Sequence, residues 1–291
     1  MAWLQLSVRT DKSRAEMVAD ALDALGAVSV TLQDAADEAL LEPAPGEHPV
    51  WQSVNITAIF PADSKPDRLR SAVRDSLGDI DIAIETIEDQ DWSETWRRDF
   101  HAMQFGSRLW VCPAHESPPD PNAVVVDMDP GLAFGTGTHA TTAMCLEWLD
   151  GHPPAGLHVI DYGCGSGILA IAACKLGASD VTAVDIDPQA IQATQENARR
   201  NTVSLQAVLP GELDTAPADL LLANILANPL IELAGFLNGL VKPGGCIVMT
   251  GILAEQAEAV MAAYRGSLVF DEPVGRDEWV LLVGRRSPGD A

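Results

Sequence analysis

The fold is decided by V-I-D-Y-G-C-G-S-G-I-L-A, Val159 to Ala170, read together with V-T-A-V-D, which ends at Asp185. An apolar strand runs into glycines at 163, 165 and 167, and an apolar helix follows. A second apolar strand then ends on an acid 20 residues beyond Gly165. Glycine lets backbone amides approach a ligand with no Cβ in the way, and an acid after the second strand accepts from both hydroxyls of a ribose. The pattern is that of a strand-helix-strand unit built for a nucleotide-containing cofactor. A tight turn without a ligand needs only two glycines, and nothing in that reading asks for Asp185.

Two cofactors fit the glycines. The run from Gly165 to Ala170 matches the G-x-G-x-x-G/A dinucleotide fingerprint, so a nicotinamide oxidoreductase stands beside a methyltransferase at this point. A dinucleotide must place its pyrophosphate on the helix N-terminus, where an acid beside the turn is unwelcome. S-adenosylmethionine has no phosphate and carries an amino group and a sulfonium. Asp161, two residues before the first glycine, is then an asset near the cationic methionine end. The chemistry favours S-adenosylmethionine.

Outward from this motif the chain alternates strand and helix. Strands at 109–112 and 123–128 precede the loop D-P-G-L-A-F-G-T-G-T-H, Asp129 to His139, and a helix over 139–150. Then follow 157–161, 167–177, 181–185, 188–200, 203–208, 218–223, 229–240, 246–250 and 254–264, a doubly wound parallel sheet. Asp187 and Pro188 read as N-cap and first helical residue, Gly177 as a helix stop, and the Pro-Gly-Gly ending at Gly245 as the turn that launches the next strand. Strands at 267–270 and 279–284 close the chain as an antiparallel hairpin, which departs from a dehydrogenase.

The N-terminal part reads strand 3–9, helix 12–25, strand 27–33, strand 51–60, helix 65–77 and strand 80–88, the order of the split ferredoxin-like unit. Its helices carry little chemistry, so recognition is the expected role. Trp92, Trp96 and Phe100 recur every four residues, a packing stripe on a linker helix, with Arg97 and Arg98 as solvated partners of nearby acids. The expected domains are 1–88, a linker helix at 89–104, and 105–291.

Composition bounds the rest. The 291 residues carry 18 Lys and Arg against 42 Asp and Glu, a net charge of −24 that repels phosphate backbones and either attracts a basic protein or serves solubility alone or a salty habitat, the latter reading being favoured by charge taken by itself. The N-terminal M-A-W-L-Q-L-S-V-R alternates like a strand rather than forming a signal peptide, and Ile168–Cys174 is too short to cross a bilayer. The five cysteines, at 112, 145, 164, 174 and 246, form no C-x-x-C pair and read as small buried hydrophobes in a reducing cytoplasm, with neither a metal site nor a disulfide frame. The expectation is a cytoplasmic monomer with no direct nucleic-acid or membrane contact.

Two further segments sharpen the site. Phe134 to His139, with Thr141 and Thr142 beyond, is rich in amide and hydroxyl donors suited to a carboxylate such as the cofactor's methionine end. His139 reads either as a base or as a helix-start histidine bound to backbone. In L-L-A-N-I-L-A-N-P, Leu221 to Pro229, Asn224 stands at the carboxyl end of the fourth strand, where its carbonyl can hold a nucleophilic amine and its neutrality leaves a sulfonium undisturbed. Asn228 reads as the cap of the next helix.

Together these motifs and the D-I-D-P-Q-A-I segment make the chain resemble the bacterial methyltransferases of large-subunit ribosomal protein eleven, over essentially its whole length. The resemblance implies a class I methyltransferase domain, a ferredoxin-like substrate-recognition domain, and transfer of methyl groups from S-adenosylmethionine to the α-amine and lysine ε-amines of that basic protein. It carries cofactor contacts onto Thr142, Gly163, Asp185 and Asn224, to which the residue reading adds Asp161 and Gly165. Where many relatives read T-H-P-T-T, this chain has T-H-A-T-T, which loosens the helix start without moving Thr142. The stretch between Asn201 and Asp219 is also short, which bears on local adenine contacts. In-line attack by a neutral amine is the expected chemistry, with Asn224 orienting it and no strong dedicated base.

Overall fold

Alternating apolar residues in the first strand bury Leu4, Leu6 and Val8 on one face and leave Gln5, Ser7 and Arg9 on the other. The computed structural model describes residues 3–36, 51–61, 63–78, 80–87, 101–113, 116, 118, 120–128 and 139–287. The chain divides into two compact units, Met1–Thr95 and Trp96–Ala291.

The first unit runs β1 (Trp3–Asp11), α1 (Lys12–Ala24), β2 (Ser29–Asp34), β3 (Ser53–Phe60), α2 (Pro66–Leu77) and β4 (Ile82–Ile87). Its strands pair antiparallel in the order β2-β3-β1-β4. Ala15, Val18 and Leu22 of α1, and Leu69, Val73 and Leu77 of α2, share the core with Ile56 and Phe60. Gly26 (φ 91°) and Gly78 (φ 78°) end the helices in backbone that a side chain resists.

The second unit opens with a small sheet of β5 (Met103–Phe105), β6 (Leu109–Cys112) and β7 (Val124–Asp127). Met103 and Gln104, expected at the end of the linker helix, are strand residues paired with Val111 and Trp110. The tryptophan stripe at 92, 96 and 100, with Arg97 and Arg98, and the loop at 129–138 lie outside the described residues. The small sheet is fastened by two carboxylate or amide side chains from elsewhere in the chain. Asp150 accepts from Ser107 N at 2.6 Å, and Asn201 exchanges two hydrogen bonds of 2.8 Å with the backbone of Asp127.

The main sheet follows. Its elements are α3 (Ala140–Gly151), β8 (His158–Tyr162), α4 (Ile168–Lys175), β9 (Asp180–Val184), α5 (Pro188–Arg200), β10 (Gln206–Val208), β11 (Ala218–Asn224), α6 (Ala227–Glu232), α7 (Ala234–Gly239), β12 (Val241–Leu253), α8 (Ala257–Ala263), β13 (Leu268–Phe270), β14 (Val274–Arg276) and β15 (Trp279–Arg286). The strand order is β10-β9-β8-β11-β12-β15-β13, with β14 on the side of β15. Strands β8 to β12 run parallel, and β15 is antiparallel to β12 and to both β13 and β14. The chain winds outward from β8 to β10, then returns to the other side of β8 with β11. The carboxyl ends of β8 and β11 therefore flank the switch point, where open parallel sheets bind ligands.

Three expectations change in detail. The helix expected over 229–240 is two, α6 and α7, broken at Leu233 (φ −88°, ψ 4°) ahead of the weakly helical A-G-F-L-N-G. Asn228 is not a cap: α6 starts from Leu226, because Ala227 is drawn into the core, and Asn228 lies exposed in the first turn. Pro243, Gly244 and Gly245 form a bulge inside β12 rather than a turn before it, since Val241 pairs with Ala218 but Cys246 already pairs with Leu220. No helix among the described residues is long and apolar enough to cross a membrane.

Candidate functional site

The glycine loop leaves β8 at Gly163 and enters α4 at Gly167, with φ of 80°, 54° and 79° at 163, 165 and 167. The amides of Gly163 and Cys164 both donate to Val184 O, at 2.7 and 3.0 Å, which anchors the loop on the end of β9. A Cβ at Gly163 would stand 2.1 Å from Ile225 Cγ2, and one at Gly167 would stand 2.8 Å from the Thr194 side chain. Thr194, from α5, donates to Gly165 O at 3.1 Å and so supports the loop from beneath. The Cys164 thiol, 3.3 Å from Thr194 Oγ1, is buried, and burial pushes its pKa far up; it is a packing group, as expected.

Asp185 follows β9 directly. Its Oδ2 accepts from Gly165 N at 2.9 Å and its Oδ1 from Asp187 N at 3.0 Å, so the acid is tied to the glycine loop and to the start of α5. Each carboxylate oxygen keeps a second lone pair for a ribose hydroxyl. Asp187 caps α5 by accepting from Gln189 N at 2.8 Å, with Pro188 in the first turn. Ile186 between them is 81% exposed, an apolar surface beside the Asp185 carboxylate that the sequence alone did not single out.

Asp161, in β8, is only 1% exposed. Its Oδ2 accepts from Ala170 N at 3.0 Å and so caps α4, whose own N-cap Gly167 has no side chain to offer. Its Oδ1 is buried without any hydrogen-bond partner. Burial pushes the carboxyl up to about 7, the Ala170 amide opposes the shift, and the charge of Asp185 adds to it. An orphaned buried oxygen costs about 1–3 kcal/mol. It is matched by a ligand that brings an ammonium group, and mismatched by one that brings a phosphate.

Asn224 ends β11. Its Nδ2 donates to Thr142 Oγ1 at 3.2 Å, which leaves its carbonyl Oδ1 as the acceptor on the site side. Thr142 is completely buried in the first turn of α3, so it touches the site by way of Asn224. Of the two readings for His139, the structure shows the helix-start one. It is the N-cap of α3, its Nδ1 lying 2.7 Å from Thr141 Oγ1 and accepting from Thr141 N at 3.4 Å. Ile225, after Asn224, packs over Gly163, and its carbonyl is approached closely by Gly251, where a Cβ would stand 2.4 Å away. A glycine inside a buried strand is the signal that could have exposed this contact.

The structure thus gathers Asp161, Gly163, Gly165, Asp185, Asn224 and, behind it, Thr142 at the carboxyl edge of β8, β9 and β11. Comparison with known proteins points the same way. A family model described as "Ribosomal protein L11 methyltransferase (PrmA)" matches residues 2–287. A ribosomal protein L11 methyltransferase of Marinobacter nauticus is 49% identical over 99% of this chain and 100% of its own length. One of Methylococcus capsulatus is 51% identical over 98% and 99%. The crystal structure of a ribosomal protein L11 methylase from Lactobacillus delbrueckii subsp. bulgaricus superposes with a TM-score of 0.59 at 32% identity, covering 65% of this chain and all of its own.

Proposed function

The chain belongs to the ribosomal protein L11 methyltransferase family, and from that premise we propose that it methylates the α-amine and lysine ε-amines of ribosomal protein L11. It is an S-adenosylmethionine-dependent methyltransferase of class I, built on a mixed α/β sheet. The observation that carries the substrate reading is identity of about half the residues along nearly the whole of both chains, the small N-terminal unit included.

Bound S-adenosylmethionine would supply an electrophilic methyl group on a sulfonium to a neutral amine, with S-adenosylhomocysteine as the leaving group and the amine proton released to solvent. The chain's residues hold and orient. Asp161 Oδ1 would face the ammonium, the Cβ-free backbone of Gly163 and Gly165 would leave room for the methionine end, and Asp185 would accept from the ribose. Asn224 accepts from the incoming amine through Oδ1 while Thr142 fixes its amide plane. An α-amine with a pKa of about 7.7–8.0 is neutral in roughly a tenth to a sixth of molecules at pH 7, whereas lysine, at about 10.4, is neutral in fewer than about one in a thousand. Desolvation at the crevice eases loss of the proton, so no dedicated base is invoked. The N-terminal unit serves as a ferredoxin-like recognition domain, and the chain from Met103 onward as the catalytic domain, closed by the antiparallel pairing of β13 and β15. The enzyme is a cytoplasmic monomer whose acidic field draws a basic protein and not nucleic acid.

The test is incubation with labelled S-adenosylmethionine and a lysate lacking this activity, followed by mass spectrometry of labelled products. Label on one small basic ribosomal protein, mapped to amines, is the expected result. Label on RNA or on a metabolite would overturn the substrate, and no label with no cofactor binding would overturn the reaction.

A further inference from the structure

Resting on the assignment of Thr142 and Asn224 to the cofactor site, we infer that Trp279 is a positioning residue for that site, acting through His139. The indole meets the imidazole edge-on, with ring centroids 5.2 Å apart and planes at 67°. His139 uses its Nδ1 to cap α3, bonding the amide and hydroxyl of Thr141. A cap of this kind works only while the ring keeps one orientation, because rotation about its side-chain torsions carries Nδ1 away from Thr141. The next residue is Thr142, whose Oγ1 receives Asn224 Nδ2 at 3.2 Å. A continuous set of contacts therefore runs from Trp279 to the amide at the end of β11.

Trp279 is itself firmly mounted. It closes the β14–β15 turn opposite Arg276 and pairs with Leu253 at the end of β12. The turn holds Asp277 at φ 52°, a left-handed conformation that aspartate adopts more readily than most side chains. Glu278 O accepts from Ala254 N at 2.9 Å. Arg276 reaches Glu147 on α3 at 2.6 Å, two turns beyond the cap. The hairpin thus meets α3 both at the Arg276–Glu147 ion pair and, through Trp279, at the end that bears Thr142. A space-filling tryptophan would be replaced adequately by any apolar side chain, whereas a brace on an imidazole requires a ring.

The experiment measures S-adenosylmethionine binding by calorimetry, steady-state kinetics and melting temperature on the full chain, in four variants. Trp279→Ala is expected to weaken cofactor binding about tenfold, the upper range of one aromatic edge contact. Its KM for the cofactor should rise with kcat at saturation changed less than about twofold. Trp279→Phe, which restores a ring, should return binding to within about threefold of the parent. Arg276→Ala, which releases the distant ion pair, should lower the melting temperature and leave cofactor affinity unchanged. Equal weakening by Arg276→Ala, or no rescue by phenylalanine, overturns the brace in favour of general packing. Full affinity in Trp279→Ala alongside a loss in Thr142→Ala overturns the brace alone; full affinity in both overturns the site assignment with it.

Discussion

Burial pushes the Asp161 carboxyl up to about 7, with the charge of Asp185 adding to the shift and the Ala170 amide opposing it. The folded chain therefore keeps a proton that the unfolded chain, with an ordinary carboxyl near about 3.9, has already released. The stability this group contributes is complete below that unfolded value, falls as pH rises through about 7, and is level beyond. Asp161→Asn should then flatten the melting profile of the cofactor-free protein between about pH 5 and 8 and raise its melting temperature at the upper end. The same variant should bind S-adenosylmethionine more weakly, since the ammonium loses its counter-charge. Parallel melting profiles in the two proteins would remove Asp161 as the titrating group. Asn224→Ala strips the partner from the fully buried Thr142 hydroxyl, which should cost about 1–3 kcal/mol in urea unfolding and also lower turnover. Unchanged turnover and cofactor affinity would refute the orienting role. Asp161 and Asp185 were legible from the chain because one lies two residues before the first glycine of the loop and the other ends the second strand, 20 residues beyond Gly165. The Thr142–Asn224 pair was legible only as two residues, since its partners stand 82 positions apart and no local pattern joins them.

Between elements, the contact of Ile225 with two glycines separates side-chain from backbone crowding. Gly163→Ala meets Ile225 Cγ2, and Gly251→Ala meets the Ile225 carbonyl, each at a glycine of φ near +80°. Both should destabilise by about 1–3 kcal/mol or more, combining crowding with left-handed strain. Adding Ile225→Ala should recover part of the melting temperature in the first case and none in the second, because truncation removes Cγ2 but leaves the carbonyl. Equal recovery in both double variants would contradict the geometry. Ala140 offers the opposite test. It is the first residue of α3, and His139 before it sits at φ −74° and ψ 140°, extended backbone that proline tolerates in its predecessor. Ala140→Pro should stabilise by about 0.4–1 kcal/mol and raise the melting temperature by roughly 1–4 °C, with cofactor affinity kept. Most element boundaries were readable because Gly26, Gly78, Gly177 and the Asp187-Pro188 pair mark them with backbone chemistry of their own. The break at Leu233 and the bulge at 243–245 were not. Apolar periodicity continues across the first, and the second depends on the register that β11 imposes.

At the scale of the whole molecule, the chain divides at Thr95, within the stretch expected as a linker, while Asp150 and Asn201 show how the small β5–β7 sheet is joined to the larger one by side chains that no motif announces. Charge acts at this scale as well. A net charge of −24 over 291 residues sets up a field that pairwise contacts do not describe. Such fields raise the encounter rate of an oppositely charged partner by about 10 to 1,000-fold and collapse as the screening length falls from about 10 Å at 0.1 M salt to about 3 Å at 1 M. Capture of a basic protein should therefore be salt-sensitive, and chemistry on the captured protein should not. The second-order rate with ribosomal protein L11 should fall steeply between about 0.05 and 0.5 M salt, while kcat at saturating protein substrate holds within about twofold. Cofactor binding at the proposed site should change little over the same range. A second-order rate that stays flat while both salt-insensitive quantities also hold would show that capture rests on shape alone. A cofactor affinity that falls in step with capture would place the effect of salt at the glycine loop and its acids rather than on the surface field.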